Sequence, residues 1–181
     1  MSRMTRHTLP LLAVALVLLP AAAVLAAGTP SGTTVTNNAT VDYRVGGVAQ
    51  PQIVSNDAIF VVDNRIDLTV TTIDVTAVTV AGASTDRVLT YLVTNTGNTA
   101  QDFRLQALDA AAAAFGLTET FDALNVRVFA DGNGNGVWDP ATETADFVDE
   151  LAADAAVHVF VVADMPATLA TDDVASYDLL A

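Results

Sequence analysis

The chain has no cysteine and no lysine, and aromatic residues make up only 6% of it. Without cysteine, an exported domain of this sequence must be held together by core burial, with or without a bound metal, because disulfides are excluded. Seven basic residues, all Arg, stand against 21 Asp and Glu, and none lies after Arg127. Nucleic acids and anionic lipid surfaces are therefore not expected as partners, since phosphate binding needs cationic side chains. The acidic excess serves either solubility or an ionic role, and composition leaves both open.

Recognisable catalytic arrangements are also lacking. His158 is the only histidine after His7, and it stands in an apolar run where a structural or surface-facing role is expected. No serine has the G-x-S-x-G surroundings of a nucleophile elbow. The glycines of residues 132–136 lie in an acidic loop that would repel phosphate, so no nucleotide cofactor is expected there. The sequence favours a protein that is not an enzyme.

One long hydrophobic run occurs, at the N-terminus. Basic residues precede an apolar stretch from Leu9 to Leu25, and Val24-Leu25-Ala26 places small or short side chains at the −3 and −1 positions of a cleavage site. This pattern predicts a secretory signal peptide over residues 1–26, with a retained membrane anchor as the alternative. No second such run follows. The mature chain is therefore expected to have no transmembrane segment and to be secreted, whether periplasmic, on the cell surface or extracellular.

The remaining sequence consists of short runs rich in Val, Thr and Ile that are separated by Gly, Asn and Asp, which is typical of β-strands. Residues 33–45 and 48–62 flank Gly46-Gly47 and predict a β-hairpin. Further strands are predicted at residues 66–72, 75–80, 87–95, 100–108, 125–130, 146–151, 155–162 and 173–180.

Alternation within two of these runs predicts which side chains are buried. Leu89, Tyr91 and Val93 fall on one face of their strand, and Phe103 and Leu105 fall on one face of the next. A turn at residues 95–98 joins the two runs, so the pattern predicts a meander. We expect these five side chains to share one buried face.

Many short strands and little helical signal predict an all-β fold, an immunoglobulin-like antiparallel β-sandwich preceded by a β-hairpin segment. The expected organisation is a signal peptide over residues 1–26, a hairpin segment over 27–64 and the sandwich over 65–181. Five alanines, Ala110 to Ala114, are too few for a stable helix and predict a connecting loop or a short helix. The last run stops at Ala181 within its alternating pattern, which favours a chain that continues.

The segment from Asp131 to Asp139 has the spacing of a calcium loop. Oxygen-bearing side chains recur at every second position, and Gly136 sits sixth, where such loops turn sharply. The two Asn-Gly dipeptides in this segment also favour a plain turn, which is the alternative to calcium. The predicted ligands within this segment are Asp131, Asn133, Asn135, the backbone carbonyl of Val137, and Asp139.

Position 12 of the loop holds Thr142, where EF-hand-like loops place a bidentate Glu. Glu143 follows one place later and Asp146 three places after that. If no helix follows the loop, either of these acids can complete the shell. With two or three carboxylates, the expected dissociation constant is about 10⁻⁴–10⁻³ M, the range of extracellular modules.

Three stretches carry a family resemblance. The run TYLVTNTGNTAQDF, residues 90–103, resembles the signature of a bacterial conserved-repeat domain of unknown function, an immunoglobulin-like module of large cell-surface and exported proteins. Residues 125–140 resemble the same group, and residues 32–43 resemble the leader segment that often precedes such repeats. The resemblance covers nearly all of the mature chain and implies a surface or periplasmic scaffold without catalytic residues. The 131–139 loop also resembles calcium loops of B-type repeats in staphylococcal surface adhesins, from which it departs at Thr142.

The favoured function is a non-enzymatic structural or adhesive module of the cell envelope, stabilised by calcium, with envelope or surface proteins or glycans as partners. A carbohydrate- or protein-binding module of a larger exported protein is the alternative, and an exposed row of aromatic side chains would favour it. An enzyme of unrecognised type is the third hypothesis. The aromatic candidates for a binding surface are Trp138, Tyr43, Tyr91 and Tyr177.

Overall fold

The computed structural model describes residues 28–110 and 114–181. The predicted signal peptide and the centre of the Ala110–Ala114 run lie outside the described residues. Ala114–Gly116 forms a 3-10 turn, and the other regular elements are strands. In chain order they are β1 Thr34–Asn37, β2 Thr40–Val41, β3 Arg44–Val45, β4 Val48–Ala49, β5 Ile53–Val54, β6 Ala58–Val61, β7 Leu68–Thr72, β8 Arg87–Asn95, β9 Gln101–Arg104, β10 Gln106–Asp109, β11 Leu124–Ala130, β12 Phe147–Leu151, β13 Ala156–Asp164 and β14 Tyr177–Leu180.

Four strands form the first layer of the protein, an antiparallel sheet in the order β11-β13-β8-β7. The central strand β13 pairs with β8 along its length, from Ala156 opposite Thr94 to Ala163 opposite Arg87. Val159 to Ala163 are all buried, so this strand is covered on both faces. That explains its nearly continuous apolar sequence, since alternation is expected only where one face meets water.

The second layer is built around residues 101–109, which pair with β12 through β9 and with β14 through β10. The side chains that point from both layers into the space between them form a single apolar core. An all-β sandwich of two antiparallel layers, the architecture predicted from the sequence, is therefore confirmed. The buried core residues are Val93, Val128, Ala130, Val159 and Val161 from the first layer, and Phe103, Leu105, Val148 and Leu179 from the second.

The prediction of which side chains share the buried face is confirmed, whereas the predicted meander is wrong. Val93, Phe103 and Leu105 are core residues, and Leu89 and Tyr91 pack against them. However, β8 pairs with β7 and β13, and β9 pairs with β12. The 95–98 turn therefore carries the chain from one layer to the other, and the two sets of side chains face each other across the core. Alternation identifies a buried face but does not say which strand lies beside it.

The predicted strand at residues 75–80 is absent, and the segment has no partner strand. Its alternation is real, yet Val75 is 88% exposed. The sheet ends just before it because the Asp74 side chain accepts the backbone N–H of Thr90 at 2.9 Å. This bond takes the place of a backbone carbonyl that would otherwise continue β7 alongside β8.

The predicted N-terminal hairpin is confirmed, with β1, β2 and β3 pairing with β6, β5 and β4 in turn. We call residues 34–61 the arm. Its base is fixed to the sandwich by Asn98, whose side chain donates to the Asp63 carbonyl at 2.9 Å and accepts from Arg65 N at 2.8 Å. A side chain at Gly97 would lie 2.4 Å from the Arg65 carbonyl oxygen, so only glycine fits there.

Tyr91 links the two layers and is expected to make the fold sensitive to alkaline pH. Its hydroxyl donates to the Tyr177 carbonyl, and burial, then the charges of Asp178 and Asp74, raise the pKa of Tyr91 to about 12. The unfolded chain ionises this group near pH 10. Its contribution is therefore fully present below pH 10 and is lost as pH rises toward 12. The loss is about 2 kcal/mol, because solvent screening of this partly exposed group reduces the full value of about 2.7 kcal/mol. Denaturant unfolding from pH 8 to 12 should show this loss, and Tyr91→Phe should reduce it. Equal pH profiles for the two proteins would contradict the assignment.

Candidate metal centre

The predicted calcium loop leaves β11 and returns at β12, and it folds back over the outer face of the first layer, opposite the core. Two backbone hydrogen bonds fix its start, from Asp131 N to the His158 carbonyl and from Ala130 N to the Ala145 carbonyl, both 2.9 Å. Trp138 stacks on Phe129 with ring centroids 4.5 Å apart. The loop is thus held at both its start and its middle by the sheet.

Asp131 organises the first half of the loop. Its side chain is completely buried, one carboxylate oxygen accepts from Gly134 N, and the other accepts from Gly136 N, each at 2.7 Å. Such bonds from a side chain to the following backbone are the reason Asp is favoured at the start of tight loops. Each carboxylate oxygen can accept a second partner, so the bonds shape the loop without exhausting its capacity to bind.

A second group of polar side chains gathers around Asn133. Its amide nitrogen lies 2.9 Å from a Glu143 carboxylate oxygen, 3.2 Å from the Thr142 hydroxyl and 3.3 Å from Asp139 Oδ2. The Asn135 amide nitrogen also donates to Asp139 Oδ2, at 2.8 Å. Three oxygens from three residues therefore surround one positively polarised N–H group. This is the environment that oxygen ligands offer a hard cation.

Glu143 is the most informative member of this group. It is only 1% exposed, and its carboxylate also accepts the backbone N–H of Asp139 and the hydroxyl of Thr142. A buried carboxylate is costly unless it is paired with a cation or fully hydrogen-bonded. Among the residues that the structure describes, no Arg forms a salt bridge with Glu143, and three hydrogen bonds hold its carboxylate. The donor set, which consists of carboxylates, amides and a hydroxyl, fits calcium chemistry.

The backbone angle and the limited space at the sharp turn both favour glycine at position 136. Its φ of 73° lies in the left-handed region, which residues other than glycine rarely adopt. A Cβ at this position would also lie 3.4 Å from the His158 ring. His158 itself lies beneath the loop, with Nδ1 3.6 Å from Asp131 Oδ2. It thus supports the loop from the strand below.

The structure brings together most of the predicted ligands but not all of them. Asp146 is exposed, and its backbone carbonyl accepts from Leu105 N, so its place is beside β9. Of the two acids that could complete the shell, Glu143 is the one that faces the loop. Val137 has an exposed side chain, and its N–H donates to Asn135 Oδ1 at 2.7 Å.

Sequence reasoning missed a second acidic group. Asp109, Glu119 and Asp122 offer carboxylate oxygens within 4.8 Å of one another, the only three acidic or histidine side chains so arranged among residues 28–110 and 114–181. Asp131, Asp139 and Glu143 of the 131–143 loop do not form such a group in the structure. Backbone hydrogen bonds from Ala110 N to the Ser176 carbonyl and from Thr120 N to the Val174 carbonyl hold Asp109 and the 119–122 segment against the same part of the chain.

Burial, together with the acidic group of Asp109, Glu119 and Asp122, raises the pKa of Tyr177, which pairs with Asp109 across the sheet. Burial raises the pKa of Tyr177, a hydrogen bond from Ala123 N lowers it, and the charges of Asp109, Asp122 and Glu119 raise it further. Glu119 also accepts the Ser176 N–H at 3.0 Å. Two of the three acids are exposed, and repulsion among them is therefore relieved by solvent.

No family model, curated protein or solved structure matches this chain. The function therefore has to be inferred from the residues and their geometry. Among the residues that the structure describes, no helix is long and apolar enough to cross a membrane.

Proposed function

We propose that this chain is a non-enzymatic structural or adhesive module of the cell envelope, exported through its N-terminal signal and stabilised by calcium in the 131–143 loop. The observation that carries the proposal is the buried Glu143 carboxylate, which meets the Asn133 amide and the Asp139 backbone in a loop fixed to the sheet. The proposed ligands are Asp131, Asn133, Asn135, the Val137 carbonyl, Asp139 and Glu143.

Calcium is favoured over magnesium by the kind and number of these ligands. Six oxygen ligands from one loop suit the larger ion, whereas magnesium demands compact octahedral geometry and keeps its waters. Asn133 and Asn135 supply amide oxygens once their side chains turn the oxygen toward the ion. An ion there would offset the charges of Asp131, Asp139 and Glu143. It would also tie β11 to β12 through the loop, as suits a module that carries load outside the cell.

The resemblance to exported repeat modules supports the same proposal from an independent direction. A scaffold needs a stable fold rather than a catalytic centre, and the structure contains a continuous apolar core shared by both layers. The carbohydrate-binding alternative has less support. Trp138 stacks on the outer sheet, Tyr91 and Tyr177 pack against the core, and Tyr43 lies on the arm, so the four candidate rings occupy three separate places.

Calcium titration of the purified protein tests the metal site. Trp138 is the only tryptophan and lies inside the loop, so its emission is expected to change as calcium orders the surrounding backbone. With a dissociation constant of about 1 mM, 10 mM calcium should stabilise the native state by about 1.4 kcal/mol and raise Tm by about 3–6 °C. Magnesium at the same concentration should have a much smaller effect.

Four variants separate the loop from the other acids. Asp131→Ala and Glu143→Gln should each abolish the emission change and the calcium-dependent rise in Tm. Asp122→Asn removes one charge from the second acidic group and should leave both responses intact, as should Asp146→Asn. Flat emission and constant Tm up to about 10 mM calcium would leave the loop as a turn only. Loss of the response in Asp122→Asn alone would place the calcium site at the acidic group of Asp109, Glu119 and Asp122.

A further inference from the structure

The arm exposes a large amount of apolar surface. Ten large apolar side chains between Val35 and Val61 are 40–66% exposed, and every residue of its six strands is classed as exposed. A two-stranded hairpin in water is at best marginally stable by itself. Large contiguous apolar surfaces on soluble proteins mark interaction sites. The exposed apolar surface of the arm therefore has the character of a protein interaction site.

Both faces of the arm are apolar where β1 pairs with β6. Val35 lies opposite Phe60, and these two side chains share one face. Thr36 lies opposite Ile59, and Val61 follows two residues later, so Ile59 and Val61 share the other face. Neither face is covered by another part of the described chain, since all these large side chains remain at least 40% exposed.

One face of the arm offers the apolar area of a small, reversible dimer interface. Full burial of a large apolar side chain removes about 60–120 Å² from water, on the usual conversion between area and transfer free energy. Ten half-exposed side chains therefore offer about 500 Å² of apolar area over both faces, or about 250 Å² on the face that a partner covers, which suits a weak dimer. A standard interface buries about 800 Å² on each partner, of which somewhat more than half is apolar.

The charge distribution favours a second copy of the same chain at this surface. The arm contains two acids and one arginine, Asp42, Asp57 and Arg44, whereas residues 62–181 contain 19 acids and four arginines. Two copies would repel each other at almost any contact between their sandwiches. Contact through the nearly neutral arms keeps the acidic parts apart and avoids that repulsion.

We propose that this protein forms a homodimer in which the arm of one copy packs face to face on the arm of the other. The two arms present the same surface to each other, as a two-fold symmetric interface requires. Packing of two hairpins buries one apolar face of each and provides the second layer that an isolated hairpin lacks.

Sedimentation equilibrium of the purified protein, with its N-terminus sequenced, tests the proposal over about 1–200 µM chain. We expect a reversible monomer–dimer equilibrium that strengthens as NaCl rises from about 20 to 150 mM, because salt screens the repulsion between the acidic sandwiches. Parallel samples with EDTA and with calcium show whether dimerisation depends on the metal site.

Paired substitutions to threonine locate the interface while keeping β-branched side chains in the strands. Ile59→Thr with Val61→Thr alters one face, and Val35→Thr with Phe60→Thr alters the other. At least one pair should weaken dimerisation by about tenfold or more. Val75→Thr, at a valine that is exposed outside the arm, is the matched control and should not.

Because these side chains are exposed in the monomer, dilute samples of all variants should melt at the same temperature, which separates lost association from lost folding. A monomer at 200 µM, or a dimer that neither pair weakens, would overturn the proposal. A different protein that copurifies in fixed ratio on the arm, with the chain alone monomeric, would overturn it as well.

Discussion

Replacing Asn95 with alanine is expected to destabilise the protein by about 3–5 kcal/mol. Asn95 is fully buried at the corner where the chain passes from one layer to the other. Its amide donates to the Thr99 carbonyl at 2.9 Å and to the Leu151 carbonyl at 2.8 Å, and its oxygen accepts from Gly97 N at 2.9 Å. Each buried polar group left without a partner costs about 1–3 kcal/mol.

Urea unfolding of the variant measures this loss, and two further variants show its cause. Asn95→Asp keeps the volume and the acceptor for Gly97 but removes both donors, so it should be at least as harmful as the alanine variant. Asn37→Ala removes an exposed asparagine from β1 and should change the free energy of unfolding by less than about 0.5 kcal/mol. A loss below about 1 kcal/mol in Asn95→Ala would show that water replaces the missing bonds.

Phe103→Ala is expected to cost about 3–5 kcal/mol, because it leaves a cavity between the two layers that neighbouring side chains cannot fill. Phe103 is 5% exposed and belongs to the shared core. Thermal and denaturant unfolding should agree on the magnitude if the core unfolds as one unit.

Phe147→Ala is the matched control for that substitution. Phe147 lies in β12, one residue before Val148, the register partner of Phe103, and is 47% exposed. Truncating it removes the same group from a surface position, where about 1 kcal/mol or less is expected. Similar losses in the two variants would mean that the faces of this layer are assigned the wrong way round.

The strand pattern was predictable from sequence wherever one face meets water. In β8, the alternation of Leu89, Tyr91 and Val93 predicted which side chains reach the core, and the structure confirms it. The same rule failed at residues 75–80, because alternation depends only on the segment itself, whereas a strand also needs a neighbour with free backbone groups. The Asp74 side chain takes the Thr90 N–H at the end of β7, and residues 75–80 pair with no strand of the described chain.

The candidate metal loop was predictable in position but not in detail. The spacing from Asp131 to Asp139 reflects local chain geometry, so it could be read without any knowledge of the fold. The choice between Glu143 and Asp146 could not, since it depends on how the chain turns after Pro140. In the structure, Thr142 N and Glu143 N both bond the Asp139 carbonyl, and this turn directs the Glu143 side chain into the loop.

By itself, the sequence determined the all-β class, the arm, five of the side chains that line the core and the position of the loop, because each follows from contacts between residues close in the chain or from strict alternation. Only the tertiary structure decided that β8 and β9 belong to different layers, that Glu143 is buried in the loop, and that Asp109 lies beside Glu119 and Asp122. These features depend on which strands become neighbours. That choice is made by the burial of the whole core, to which every segment contributes at once.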